Sequence, residues 1–117
     1  MKILICDDEI EIVNVLEKYL KTKGCDVGYA LDGKKGLKSI KSGDYDIVFL
    51  DINMPELTGI DVLRYVKDNN IKTKVVFLTG YPCMDEWFAK KIRADEYLEK
   101  PVDLKVIGEL VDKYRPK

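Results

Sequence analysis

The sequence predicts an α/β fold, a doubly wound open sheet of five parallel strands with helices on both faces. Two observations carry that expectation. Short apolar runs alternate with longer segments whose apolar residues recur at steps of three and four. The connections between them are short, with no repeat, linker or low-complexity stretch. Right-handed crossovers between such units wind the sheet both ways, and the units are too few to close a βα barrel.

The elements follow in order. "KILIC" (2–6) is the first strand, and residues 9–23 form a helix with Ile10, Val13, Leu16 and Leu20 on one face, ended by Gly24. "DVGYA" (26–30) is the second strand, followed by a helix over 34–41 that carries Leu37 and Ile40 and exits at "SGD". "IVFL" (47–50) leads to a helix over 59–69 with Ile60, Leu63 and Val66, closed by "DNN". "VVFL" (75–78) leads to a fourth helix over 84–92 with Met84, Trp87, Phe88 and Ile92. "EYLE" (96–99) and a fifth helix over 103–114, with Leu104, Ile107, Leu110 and Val111, complete the set.

At 117 residues the chain is one domain able to bury a core without staples. A net charge of −1 gives no global attraction to nucleic acid or membrane. The lysines at 18, 21, 23, 34, 35, 38 and 41 have the spacing of solvated helix faces. The opening apolar run is too short for a signal peptide, and no stretch spans a bilayer. Three scattered cysteines read as reduced thiols of a cytoplasmic protein, with Cys6 in the core. The absence of histidine excludes His-based zinc sites and Ser-His or Cys-His catalysis.

Chemistry concentrates where the strands end. Asp7 and Asp8 follow the first strand, Asp51 the third, Thr79 the fourth and Lys100 the fifth. In an open parallel sheet these positions share the carboxyl rim, where sites form. Three gathered carboxylates repel one another unless a cation intervenes, and an oxygen-only set suits a hard divalent ion, Mg²⁺ above all. A carboxylate can also attack phosphorus to give an aspartyl phosphate. Thr79 would then donate to a phosphoryl oxygen while Lys100 supplies charge. Each element also has a plainer role. "DEIE" (8–11) has the form of a capping box, with Glu11 returning to the N-cap. Asp51 can start a turn, Thr79-Gly80 can be a turn, and Lys100-Pro101 can be a strand exit.

As an ordered set, Asp7-Asp8, "DINMPELTG" (51–59), "VVFLTG" (75–80) and "YLEKP" (97–101) resemble the receiver domain of two-component response regulators. The likeness covers essentially the whole chain. It implies strand order 2-1-3-4-5 and a phosphorylation-controlled switch rather than an enzyme. Asp51 would accept a phosphoryl group from a histidine kinase or a histidine phosphotransfer protein. Asp8, Asp51 and the backbone carbonyl of Asn53 would hold Mg²⁺, or Mn²⁺ in its place, with Asp7 acting through water. Lys100 would pair with the phosphoryl group and Thr79 would move toward it. Tyr97 would then turn inward, reshaping the surface of the fourth helix, fifth strand and fifth helix for a downstream protein. The resemblance implies a monomer or a phosphorylation-linked dimer. With only one helix and a short tail after Pro101, a single receiver over 1–117 without an output domain is expected, acting on a separate molecule; the alternative is that the chain is a fragment of a longer regulator.

Two departures stand out. Gly80 replaces an alanine frequent in the family and predicts a looser loop and a shorter-lived acyl phosphate. Arg93 stands where many receivers have a glycine before "AD", which predicts an altered exit from the fourth helix. Rival functions fit less well. A phosphorylation-independent interaction module has no use for the intact acid set. An aspartate-nucleophile phosphohydrolase needs a D-x-D arrangement after the first strand that "CDDEIE" lacks, and the same acids are a poor cradle for a flavin phosphate.

Overall fold

A computed structural model describes residues 1–52, 54, 57–80 and 93–116. Five parallel strands, β1 (Lys2–Cys6), β2 (Asp26–Ala30), β3 (Ile47–Asp51), β4 (Lys74–Thr79) and β5 (Glu96–Glu99), form one sheet in the order β2-β1-β3-β4-β5. Four helices accompany them among the described residues: α1 (Ile10–Thr22), α2 (Gly33–Ser42), α3 (Gly59–Asp68) and α4 (Leu104–Tyr114). The helix expected over 84–92, with Trp87 and Phe88, lies outside the described residues, as does Cys83.

The central strands β1, β3 and β4 are buried on both faces along nearly their whole length and read as apolar runs, whereas the edge strands β2 and β5 are only partly buried and carry Asp26, Glu96 and Glu99. Side chains of successive residues still divide by parity. Ile3, Ile5, Ile47, Phe49, Val76 and Leu78 pack beneath α1 and α4 with Leu16, Leu20, Ile107 and Val111. Leu4, Cys6, Val48, Leu50, Val75 and Phe77 pack on the other face with Ile40, Val62, Leu63 and Val66 of α2 and α3. Of the face expected on α1, Val13, Leu16 and Leu20 are buried. Ile10, in the first turn, is 46% exposed and joins neither cluster.

The chain runs from β1 outward to β2, then crosses back to β3 on the other side of β1. The switch point therefore falls between the carboxyl ends of β1 and β3, the place where open α/β sheets form sites.

Candidate functional site

The β1–β2 ladder carries one residue past the strand, because the Asp7 N–H donates to Ala30 O at 3.1 Å. That bond fixes Asp7 in a fully buried position. Its Oδ1 accepts from the Glu9 N–H at 2.8 Å. Its Oδ2 receives no well-aligned hydrogen bond among the described residues and faces the Lys100 ammonium at 3.0 Å. The capping box expected from "DEIE" does not form. Glu9 is the N-cap of α1 and its side chain makes no capping bond, because Asp7 has already turned the chain through its own contact with the Glu9 N–H. A true capping box closes α3 instead, between Thr58 and Asp61.

Asp51 ends β3 at 5% exposure, paired in register with Leu78. The turn behind it is tight. The Gly59 N–H donates to Ile52 O at 2.9 Å, and a Cβ at Gly59 would overlap the Asp51 carbonyl oxygen. The glycine of "DINMPELTG" is thus required by the approach of α3 to the acid-bearing strand end. Met54 packs its sulfur 3.5 Å from Cys6 Sγ beneath this turn.

Asp7, Asp8 and Asp51 each direct a carboxylate oxygen into one cluster whose members lie within 4.8 Å of one another. Asp8 is exposed and the other two are buried. Lys100 closes the cluster from β5, 3.5 Å from Asp51 Oδ2 and 3.1 Å from Glu9 Oε1. Its peptide bond to Pro101 is cis, and its backbone N–H donates to Thr79 O at 2.6 Å. Thr79, 1% exposed, ends β4 beside it, and Tyr97 on β5 packs partly buried against the α2–α3 face.

Burial pushes the Asp7 carboxyl above the usual carboxylate range, against the pull of the Glu9 N–H and the Lys100 ammonium. Burial also opposes the Lys100 charge, but the contacts with Asp7 and Glu9 and the charge of Asp51 outweigh it and raise its pKa. Cys6, below the site, is pushed up to about 12 by burial, then by the charges of Asp32, Asp7 and Asp51. It is a core thiol without nucleophilic character.

The carboxyl rim therefore brings together Asp7, Asp8, Asp51, Thr79 and Lys100, as the sequence predicts. Asn53, the expected carbonyl ligand, lies outside the described residues. Glu9 is the member that the sequence-based expectation left out; its signal was the third consecutive acid in "DDE" (7–9). Beside Lys100 a cleft of about 570 Å³ opens, lined by Glu9, Ile12, Val15, Gly80 and Val102.

Residues 3–112 match the response regulator receiver domain, and the chain belongs to that family. Such domains are signalling domains of two-component systems, controlled by phosphorylation and served by histidine kinases or phosphotransfer proteins. The chain is 36% identical to the transcriptional regulatory protein DltR of Streptococcus agalactiae over 104 residues, 88% of this chain and 46% of DltR. It is 37% identical to the response regulator SaeR of Staphylococcus epidermidis over 100 residues, 85% of this chain and 43% of SaeR. It thus spans about half the length of these curated relatives. The receiver domain of Francisella response regulator 1452 superposes with a TM-score of 0.90 at 30% identity, covering 97% of this chain and 94% of that one. Response regulator TrrA of Thermotoga maritima, solved in complex with Mg(2+)-BeF, gives a TM-score of 0.86 at 33% identity and 97% coverage of both chains. No helix among the described residues is long and apolar enough to cross a membrane.

Proposed function

We propose that Asp51 is the phosphoacceptor of a signalling switch, receiving a phosphoryl group from a phosphohistidine of a partner kinase or phosphotransfer protein. The observation that carries this is the buried Asp51 carboxylate at a strand end, beside two further acids and 3.5 Å from a lysine ammonium. The acid set fits a divalent cation. Its oxygens converge, and Asp7 Oδ2 has no aligned hydrogen bond of its own among the described residues. TrrA, with its Mg(2+)-BeF complex, supports Mg²⁺ as that ion. Asp8 and Asp51 would hold it directly, with the Asn53 carbonyl, and Asp7 through water. Bound there, Mg²⁺ would neutralise charge on the phosphoryl oxygens.

The chain's own groups do the rest. Asp51 is held in place by the β3 ladder and the Gly59 turn, so its oxygen faces the donor with little freedom to lose. Lys100 carries its positive charge to a phosphoryl oxygen. The Thr79 hydroxyl moves to donate to another, and Tyr97 fills the space that it leaves. The surface around β5 and α4 changes shape for a partner, a local charge event biasing a two-state element. We further propose that this receiver acts on a separate downstream protein. The half-length match favours a second reading, in which it governs a transcription-regulating segment of the same polypeptide, as the name of DltR suggests for that protein. The size of the native gene product in a cell extract separates the two.

Intact mass after incubation with acetyl phosphate tests the core of the proposal. One phosphoryl adduct that requires Mg²⁺, survives acid, is lost in alkali and is absent from Asp51→Asn is expected. Absence of both that adduct and beryllofluoride binding would favour a phosphorylation-independent module.

A further inference from the structure

A lysine ammonium has three N–H bonds, and Lys100 meets three carboxylates: Asp7 at 3.0 Å, Glu9 at 3.1 Å and Asp51 at 3.5 Å. Asp7 and Asp51 belong to the site already described. Glu9 does not. Its main chain is fixed by the bond to Asp7 Oδ1, and its side chain does no capping for α1. Its carboxylate is instead laid over Lys100. At 60% side-chain exposure it stands at the entrance, on the wall of the cleft beside Lys100 and Gly80.

We propose that Glu9 is a positioning residue acting through Lys100, a charge gate on the phosphoryl site. This rests on the Asp51–Lys100 reading above and adds a rule of donor choice to it. In the resting protein Glu9 occupies the ammonium direction that points toward the entrance. A phosphodonor must displace Glu9 from Lys100 while approaching an anion fixed in its path. Free donors of high negative charge are penalised most. A donor presented with compensating positive charge is penalised least.

The test compares two small donors that label the same atom. With acetyl phosphate, a dianion near neutral pH, an Asp51 oxygen bonds to phosphorus and acetate leaves with the P–O electron pair. With phosphoramidate, a monoanion already protonated on nitrogen, the P–N bond breaks and ammonia leaves. At low ionic strength and with Mg²⁺ present, Glu9→Gln is expected to be labelled by acetyl phosphate about two- to fivefold faster than the wild type, the scale of an exposed ion pair. The gain with phosphoramidate is expected to be smaller, and the difference between donors to close in high salt. The ¹⁵N resonance of the Lys100 ammonium is expected to shift in the variant before any donor is added.

Equal acceleration with both donors, no acceleration, or an unmoved Lys100 resonance would each overturn the gate while leaving the Asp51 reading intact. A wild type that neither donor labels would overturn both. Glu9→Ser, which offers a good N-cap, repeats the comparison if Glu9→Gln melts early.

Discussion

Lys100 Nζ stands 3.0 Å from Asp7 Oδ2 and only 3.5 Å from Asp51 Oδ2, so one ammonium serves two buried carboxylates at the ends of different strands. With its side chain 12% exposed, it is poorly replaced by water. Lys100→Met is expected to destabilise the protein in chelator by roughly 3 kcal/mol, since removing one partner strands buried charge. A divalent ion would neutralise the same carboxylates. Added Mg²⁺ should therefore raise the melting temperature of the variant more than that of the wild type, as read in paired thermal melts. Equal shifts would mean that ion and lysine act on different groups.

The Gly59 turn gives a second expectation. A Cβ there would meet the Asp51 carbonyl and come within 2.9 Å of Ile52 Cα, both backbone atoms that cannot rotate away. Gly59→Ala should cost about 2 kcal/mol in urea unfolding, the scale of an overpacked core position. It should also slow labelling of Asp51, because the strain falls on that residue's own carbonyl. A destabilised variant with unaltered labelling would show that the strain is absorbed in α3.

Arg93 has φ +64°, the left-handed region that a side chain pays to enter. Arg93→Gly should raise stability by up to about 1 kcal/mol, the steric relief less the extra entropy of glycine in the unfolded chain. An unchanged or lowered midpoint in chemical denaturation would show that the arginine side chain contributes contacts that offset its backbone cost.

The base of β5 is tied to α4 through Glu96, whose carboxylate accepts from the Tyr114 hydroxyl and the Lys113 ammonium at 2.9 Å. Burial works against the Glu96 charge, yet these two partners hold its pKa below the usual glutamate value. A depressed carboxylate contributes stability that is complete above its unfolded pKa and lost as pH falls through the folded one. Tyr114→Phe should therefore cost about 1 kcal/mol near neutrality. The gap between variant and wild type should close as pH drops below the ordinary glutamate range. A gap that persists in acid would show that the hydroxyl contributes independently of the Glu96 charge.

Much of the fold was legible because the buried central strands β1, β3 and β4 announce themselves as apolar runs. β1, β2 and β5 match the expected ranges, while β3 and β4 each extend to include their terminal Asp51 and Thr79. Strand ends fix where side chains converge, so Asp7, Asp51, Thr79 and Lys100 could be placed together from spacing alone. Local hydrogen bonding was harder to foresee. "DEIE" has the letters of a capping box, but a tertiary contact from Asp7 took the Glu9 N–H first, and nothing in four residues reveals that competitor. Glu9 was hidden for the same reason. Its partner Lys100 lies 91 positions away, and a surface acid in an acidic run carries no mark of what it faces.

The main-chain bond from Lys100 to the Thr79 carbonyl joins the two strand ends independently of either side chain. The mechanical linkage and the chemistry are therefore separately heritable. In the switch proposed above, a lineage could exchange the hydroxyl or the ammonium, and so retune how fast a signal is written or erased, without cutting this main-chain strut between the two strands.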